Sequence, residues 1–451
     1  MDIFFVSLGC DKNLVDSENM LGILRDNGYR IIDHEEAADI IIINTCCFIN
    51  DAKQESINTI LEMAQYKKTG KLQALIVTGC MAERYKEEIL KEIPEVDALL
   101  GTASFDAIMG VMKELMDGKK PMRFEDLSRI PKTNAKRVLT SGAFSSYLKI
   151  AEGCDKHCTY CIIPKVRGNY RSVPMEDLLK EASYLAEQGV KELILVAQET
   201  TLYGKDLYGE KTLPKLLEKF CQIEGIEWIR ILYCYPEEIT EDLIEVIKRE
   251  PKICHYLDIP IQHANDRILK LMGRKTSKSD LIHIINQLRT KIPDIVLRTT
   301  LITGFPTETE EEHKELLDFV HDMAFERLGV FTYSKEENTP AAQLKPQITA
   351  KVKKLRQKEL MKQQQSIVFS HTNQLIGRTF DVLIEGRIAE EDHVYIGRTY
   401  MDAPQVDGFF FVSSEEELIS GSIVKAVVTK AKDYDLVGEL VKGEKRNEFT
   451  E

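Results

Sequence analysis

Residues 152–161, EGCDKHCTYC, set Cys154, Cys158 and Cys161 on one short loop in a Cys-x3-Cys-x2-Cys pattern. A structural zinc ion takes four protein ligands in a tetrahedron, and three thiols fall one short. His157 is the candidate fourth ligand, but it adjoins Cys158, and neighbouring residues rarely aim both side chains at one ion. Catalytic zinc uses three protein ligands but draws mainly on His and carboxylates. Soft thiolates alone suit an iron–sulfur cluster. A cubane held at three corners leaves one iron open to a small molecule, which accounts for a count of three. Zinc stays the alternative on these residues alone.

The loop leads a series of βα units. The runs SYLKIA, ELILVA, WIRILY, YLDIPI, IVLRTTLI and LGVFTY read as strands, separated by amphipathic helices at 175–187, 240–249, 278–290 and 310–322. Six such units predict a partial (β/α) TIM-like barrel with its site at the carboxyl ends of the strands. Upstream, IFFVSL, DIIIIN and ALIVTG are short Ile- and Val-rich runs followed by helical patterns at 16–27 and 51–66, as in buried parallel strands. They predict a doubly wound α/β domain over residues 1–120. Each run ends in a cysteine: Cys10, Cys46 and Cys80. Ligands of open α/β sheets lie beyond the carboxyl ends of the strands, so these three thiols converge on one edge. A single such cysteine would read as a small buried hydrophobe; three at equivalent places read as a site.

Residues 121–141 lack apolar periodicity and read as a connector. The barrel is expected to occupy 142–371, closing with a polar helix near 349–370, a strut whose apolar points are Val352, Leu355, Met361 and Val368. From 372 to 445, short alternating strands with glycine punctuation predict a small antiparallel β-barrel. Within it, Phe409–Phe411 reads as barrel core rather than a docking patch.

Composition bounds the rest. The net charge of −13 disfavours tight binding to phosphate backbones, although local basic patches would still permit it. No apolar run approaches the roughly 20 residues of a membrane span. The start, MDIFFVSLGC, has no basic leader, so a cytoplasmic protein is expected. A reducing compartment disfavours disulfides, which leaves ten cysteines to be explained otherwise.

Cys-x3-Cys-x2-Cys at the end of a first barrel strand resembles the radical S-adenosylmethionine superfamily. The second trio, and the order of an N-terminal domain, a radical barrel and a TRAM barrel, resemble the methylthiotransferases over essentially the whole chain. The resemblance implies two 4Fe-4S clusters, one on Cys154, Cys158 and Cys161, the other on Cys10, Cys46 and Cys80. It implies S-adenosylmethionine on the open iron of the first cluster, cleaved reductively to a deoxyadenosyl radical, and a methylsulfide on the second. Cys47 is packing in this pattern, and Cys221, Cys234 and Cys254 have no ligand role. Matching positions for the adenosylmethionine pocket are Gln198 and Glu199 in VAQET, Arg298 in VLRTT, and Gly304 and Pro306 in ITGFPTET. Glu199 would accept from the methionine ammonium and Arg298 would pair a carboxylate; the alternatives are a loop carboxylate and a barrel ion pair.

Within that family, SLGCDKNLVDSE, YCYPEEIT and LDIPIQHAN resemble the branch that modifies an aspartate β-carbon of ribosomal protein S-twelve (RimO-type). The tRNA adenosine branch (MiaB-type) reads Gly-Cys-Gln-Met-Asn instead. From Thr372 to Glu451 there are 16 acidic and 9 basic residues, a net of −7. That suits a basic ribosomal protein better than tRNA phosphates. An electron donor such as flavodoxin and a sulfur source are implied as further partners. The remaining alternative is a non-catalytic iron–sulfur protein that binds ribosomes.

Overall fold

Residues 40–45 are buried on every side chain, which four consecutive isoleucines achieve only in a sheet covered on both faces. The computed structural model describes residues 1–445 apart from 133–135, 141, 143 and 390. Strands β1 (Asp2–Ser7), β2 (Arg30–Ile32), β3 (Ile40–Thr45), β4 (Ala74–Gly79), β5 (Ala98–Leu100) and β6 (Met122–Arg123) form one parallel sheet in the order β2-β1-β3-β4-β5-β6. Ile41 and Ile43 pack into a core on one face, Ile40 and Ile42 into a core on the other. The strand order reverses between β1 and β3, which is where doubly wound sheets open a crevice.

The connector read at 121–141 is not structureless. Met122 and Arg123 pair with Leu99 and Leu100 as the edge strand of this sheet, and Arg137 is buried against Glu18 and Glu181. Two residues of strand are too few to leave a periodic signal. The connector positions 133–135 and 141 lie outside the described residues.

The second sheet comprises β7 (Ser145–Lys149), β10 (Glu192–Val196), β11 (Trp228–Ile231), β12 (Ile253–Asp258), β13 (Val296–Thr303) and β14 (Arg327–Thr332). A short hairpin, β8 (Ala151–Glu152) with β9 (Arg171–Ser172), carries the chain into and out of the cysteine loop. The order β14-β13-β12-β11-β10-β7 is parallel throughout and does not close, giving a partial barrel. Side chains alternate across it: Leu193 and Leu195 join the core beneath the helices, while Ile194 and Val196 join a core shared with the C-terminal domain.

The helix Ala350–Gln374 flanks β14; of the apolar points read in the sequence Val368 is buried and Met361 packs against the barrel core, but the rest of the contact line differs. Leu355 is exposed, and the buried positions are Arg356, Leu360, Gln364, Val368 and Thr372, spaced by four. Gln357 and Gln364 donate to the carbonyls of Val330 and Phe325 at 2.6 and 2.7 Å, so amides dock this helix where leucines would ordinarily serve.

Strands β15 (Thr379–Arg387), β16 (Val394–Arg398), β17 (Phe410–Ser413), β18 (Ile423–Lys432) and β19 (Asp435–Lys445) close a barrel in the order β15-β16-β17-β19-β18. Four of its pairings are antiparallel, as expected. The fifth, β17 with β19, is parallel, because the long β18–β19 hairpin returns to close the ring from the same end. Phe410 is core, and Phe409 and Phe411 are half-buried with ring centroids 6.5 Å apart.

This small barrel is bolted to the inner face of the partial barrel by buried charges. Glu192 accepts from Arg230 Nε at 2.7 Å and from Arg398 Nη2 at 2.6 Å, all three side chains being fully buried. Arg327 pairs with Asp402, and Tyr256 donates to Asp407 at 2.7 Å.

Candidate active site between the cysteine loops

Cys10 precedes the helix Asp11–Asp26, Cys46 directly follows β3, and Cys80 opens the helix Cys80–Tyr85. Since β1, β3 and β4 are adjacent, the three loops are neighbours at the switch point of the sheet. Gly9 shows how closely they pass: at φ +90°, a Cβ there would lie 2.6 Å from Cys46 Cβ. Asn13 stitches them together. Its Nδ2 donates to the carbonyls of Leu8 and Thr45, both at 3.0 Å, and its Oδ1 lies 3.8 Å from Cys80 Sγ.

The second trio occupies the loop between β8 and the helix Ile163–Arg167. Cys154 and Cys158 are buried and Cys161 is half-buried. Ile163 N–H points to Cys161 Sγ at 3.4 Å, and Tyr235 Oη lies 3.8 Å from Cys158 Sγ. His157 is exposed, in contrast to the thiols on either side of it. Among the described residues, no three His, Cys, Asp or Glu side chains are placed to share one metal ion. A set of three cysteine thiols is a soft donor set, which suits an iron–sulfur cluster. Burial pushes the thiols of Cys46 and Cys154 up to about 12, and it raises Cys80 and Cys161 as well. Thiols held in this way are poor free nucleophiles and become ligands when a metal displaces their protons.

One buried network joins the two loops. Arg167, six residues beyond Cys161, donates from Nη1 to Asp16 Oδ2 at 2.8 Å and Glu152 Oε2 at 2.9 Å, and from Nη2 to Asn13 Oδ1. Lys149 pairs with Glu152 at 2.7 Å and with Asp16. The guanidinium therefore reaches from the barrel to the amide that ties the N-terminal cysteine loops. Asn13 and Arg167 were not singled out in the sequence. The available signal was the polar run DKNLVDSEN, whose Asn13, Asp16, Ser17, Glu18 and Asn19 are all buried on one helix.

The other expected residues divide into two groups. Gln198 and Glu199 lie beside the barrel loop: Gln198 Nε2 donates to Glu152 at 2.9 Å, and Glu199 Oε2 stands 3.7 Å from Lys156 Nζ. Glu199 Oε1 accepts from the Thr201 N–H at 3.0 Å, while its Oε2 and Gln198 Oε1 are buried with no hydrogen-bond partner among the described residues. Two unsatisfied acceptors beside a thiol loop fit a ligand with N–H donors, as an amino-acid ammonium has. Arg298, Gly304 and Pro306 are engaged elsewhere. Arg298 donates to Asp258 at 2.8 Å and faces Asp407 of the C-terminal barrel at 3.4 Å. A Cβ on Gly304 would lie 2.4 Å from Lys353 Cγ, so this glycine admits the long helix, and Pro306 is buried in the same turn.

Comparison with known proteins places this geometry. Residues 2–101 match Uncharacterized protein family UPF0004, 148–320 the Radical SAM superfamily and 376–441 the TRAM domain. The ribosomal protein uS12 methylthiotransferase RimO of Lachnoclostridium phytofermentans is 64% identical over 438 residues, 97% of this chain and 99% of that protein. The protein of that name from Clostridioides difficile (strain 630) is 51% identical over 441 residues, 98% and 99% of the two chains. Among solved structures, the radical S-adenosylmethionine methyltransferase TsrM from Kitasatospora setae aligns with a TM-score of 0.57 at 12% identity, covering 75% of this chain and 76% of that one. The cobalamin-dependent radical enzyme OxsB aligns at 0.52 and 14%, covering 82% and 56%; at these identities the likeness is of fold alone. Three domain matches in this order, with near-full-length identity of this size, mean that the chain belongs to the ribosomal protein uS12 methylthiotransferase RimO family of radical S-adenosylmethionine transferases.

Proposed function

We propose that this chain adds a methylthio group to the β-carbon of an aspartate in ribosomal protein uS12. It uses S-adenosylmethionine both as methyl donor and as radical source. Cys154, Cys158 and Cys161 hold one 4Fe-4S cluster, and Cys10, Cys46 and Cys80 hold a second. When bound, the clusters supply an electron for reductive cleavage of S-adenosylmethionine and a resting place for the sulfur to be transferred. The observation that carries this reading is the Asn13–Arg167 link, which fixes two incomplete thiol sets against each other across one domain interface.

The side chains around the loops do the remaining work. Glu199 and Gln198 accept from the ammonium of the methionine moiety through their unsatisfied oxygens. Asp16, Glu152, Lys149 and Arg167 lock the loops and keep water out of the interface. Residues 1–120 carry the sulfur-holding site, 121–141 tie it to the radical barrel at 142–371, and 372–445 form the docking barrel. The acidic balance of that last domain favours a basic protein over RNA; Glu390 and 446–451, part of that count, lie outside the described residues. A reductant such as flavodoxin and a sulfur source complete the partners. Ten free thiols accord with a reducing cytoplasm, and no helix among the described residues is long and apolar enough to cross a membrane.

The test is anaerobic incubation of the reduced, cluster-reconstituted enzyme with a peptide bearing the target aspartate, and separately with tRNA. A mass gain of one methylthio group on the peptide is expected. Gain on tRNA alone reverses the assignment.

A further inference from the structure

Lys12 lies two residues beyond Cys10 and is only 5% exposed, an unusual place for an ammonium. Its Nζ sits 3.2 Å from the centroid of the Tyr233 ring and 3.0 Å from Asp11 Oδ1. The Tyr233 hydroxyl donates to the same Asp11 oxygen at 3.2 Å. Tyr233 stands just past the end of β11 in the left-handed region, at φ +62°, and its N–H is held by Asp258 at 3.1 Å. Two residues on, the Tyr235 hydroxyl reaches Cys158. The segment Tyr233–Tyr235 thus runs from the Cys10 loop to the barrel cysteines.

The buried Asp11–Lys12 pair keeps hydrogen-bonding capacity on both side chains. Among the described residues Asp11 is the one ion-pair partner of Lys12, which leaves ammonium donors to spare. Asp11 Oδ2 is buried and has no hydrogen-bond partner among them. A peptide aspartate presents the complement: a carboxylate for the ammonium and its own backbone N–H for the free carboxylate oxygen. We infer that Lys12, aimed by Tyr233 and Asp11, binds the carboxylate of the aspartate to be modified and so sets the choice of substrate. This rests on the function proposed above.

The test compares equilibrium binding of two fluorescent peptides to the cluster-loaded enzyme without oxygen, one carrying the target aspartate and one asparagine in its place. The wild type should favour the aspartate peptide by about 100-fold, the scale of a lost buried charge pair. Lys12→Met should reduce that ratio to within about threefold, and Lys12→Arg should keep most of it. Tyr233→Leu, which removes the ring beneath the ammonium, should lower it about tenfold and serves if Lys12→Met fails to load its clusters. An unchanged ratio in Lys12→Met, or in Tyr233→Leu where that variant stands in, overturns the assignment. So does an equal weakening of both peptides, the result expected if Lys12 merely offsets thiolate charge. A wild type that methylthiolates the aspartate peptide but binds both peptides alike refutes only the role of Lys12. A wild type that modifies tRNA instead refutes the functional reading beneath it.

Discussion

Replacing Arg167 with methionine should loosen both cysteine loops at once. The guanidinium is 2% exposed, and its carboxylate partners Asp16 and Glu152 are 5% and 6% exposed. Without it, two buried carboxylates share the single ammonium of Lys149, and Asn13 Oδ1 loses its charged donor. Leaving one buried carboxylate uncompensated costs about 3–5 kcal/mol. Against the roughly 5–15 kcal/mol that holds a domain folded, such a loss is felt locally well before the whole chain unfolds. Hydrogen exchange at the amides of 11–19 and 163–167 should quicken by more than about a hundredfold, since every 1.4 kcal/mol is tenfold. The effect depends on pH in a fixed direction. Burial alone would raise the Glu152 carboxyl, but Arg167 and Lys149 overcome it and hold it well below the usual carboxylate range. Stabilisation from a lowered carboxyl is complete above that range and fades as pH falls below it, so wild type and variant should converge in acid. Exchange rates within about threefold of wild type at neutral pH would refute the assigned role of this network.

Three further outcomes follow from particular contacts. Gly9→Ala puts a methyl into Cys46 at an unfavourable φ, and iron content should fall by about half as the N-terminal site fails while the barrel site loads. Burial pushes the Glu199 carboxyl up to about 7 from an ordinary value of 4.5, so its ionisation costs stability as pH rises between them. That cost is about 3 kcal/mol; Glu199→Gln should flatten the decline in a urea titration series and weaken S-adenosylmethionine binding at least about tenfold by calorimetry. Glu192→Gln leaves two fully buried guanidiniums facing a neutral amide, and limited proteolysis should then release the C-terminal barrel at a cost of about 3–5 kcal/mol in docking.

What the sequence made legible tracks burial pattern and chain distance. The six strands of the partial barrel were readable from short β-branched and aromatic runs: β10 is buried on both faces and leaves the apolar run ELILVA, while β13 alternates buried and half-buried residues. Cys10, Cys46 and Cys80 were readable because each closes an apolar run, and Cys154, Cys158 and Cys161 because of their spacing on one loop. Strands β2, β5 and β6 were not, since two or three residues cannot show a period. The docking face of the long helix was only partly legible: Val368 was, but Arg356, Gln364 and Thr372 look like solvent residues until their partners are known. Arg298 pairs with Asp258 and faces Asp407, more than a hundred residues away and in another domain, a contact no local pattern marks. The Arg167–Asn13 contact joins residues 154 apart, and no local pattern marks either one. Tyr233 and Lys12 each sat in a stretch that distinguished the two family branches; that they touch could only be learned from the fold.

The most direct measurement of the central claim is an anaerobic count of iron and sulfide in reconstituted protein, repeated after alanine replacement of Cys10, Cys46 and Cys80 together. About eight irons per chain, falling to about four in the triple variant with the barrel site still reducible by dithionite, is the predicted result. A wild type that holds about four irons, or zinc in a colourless protein, would contradict it.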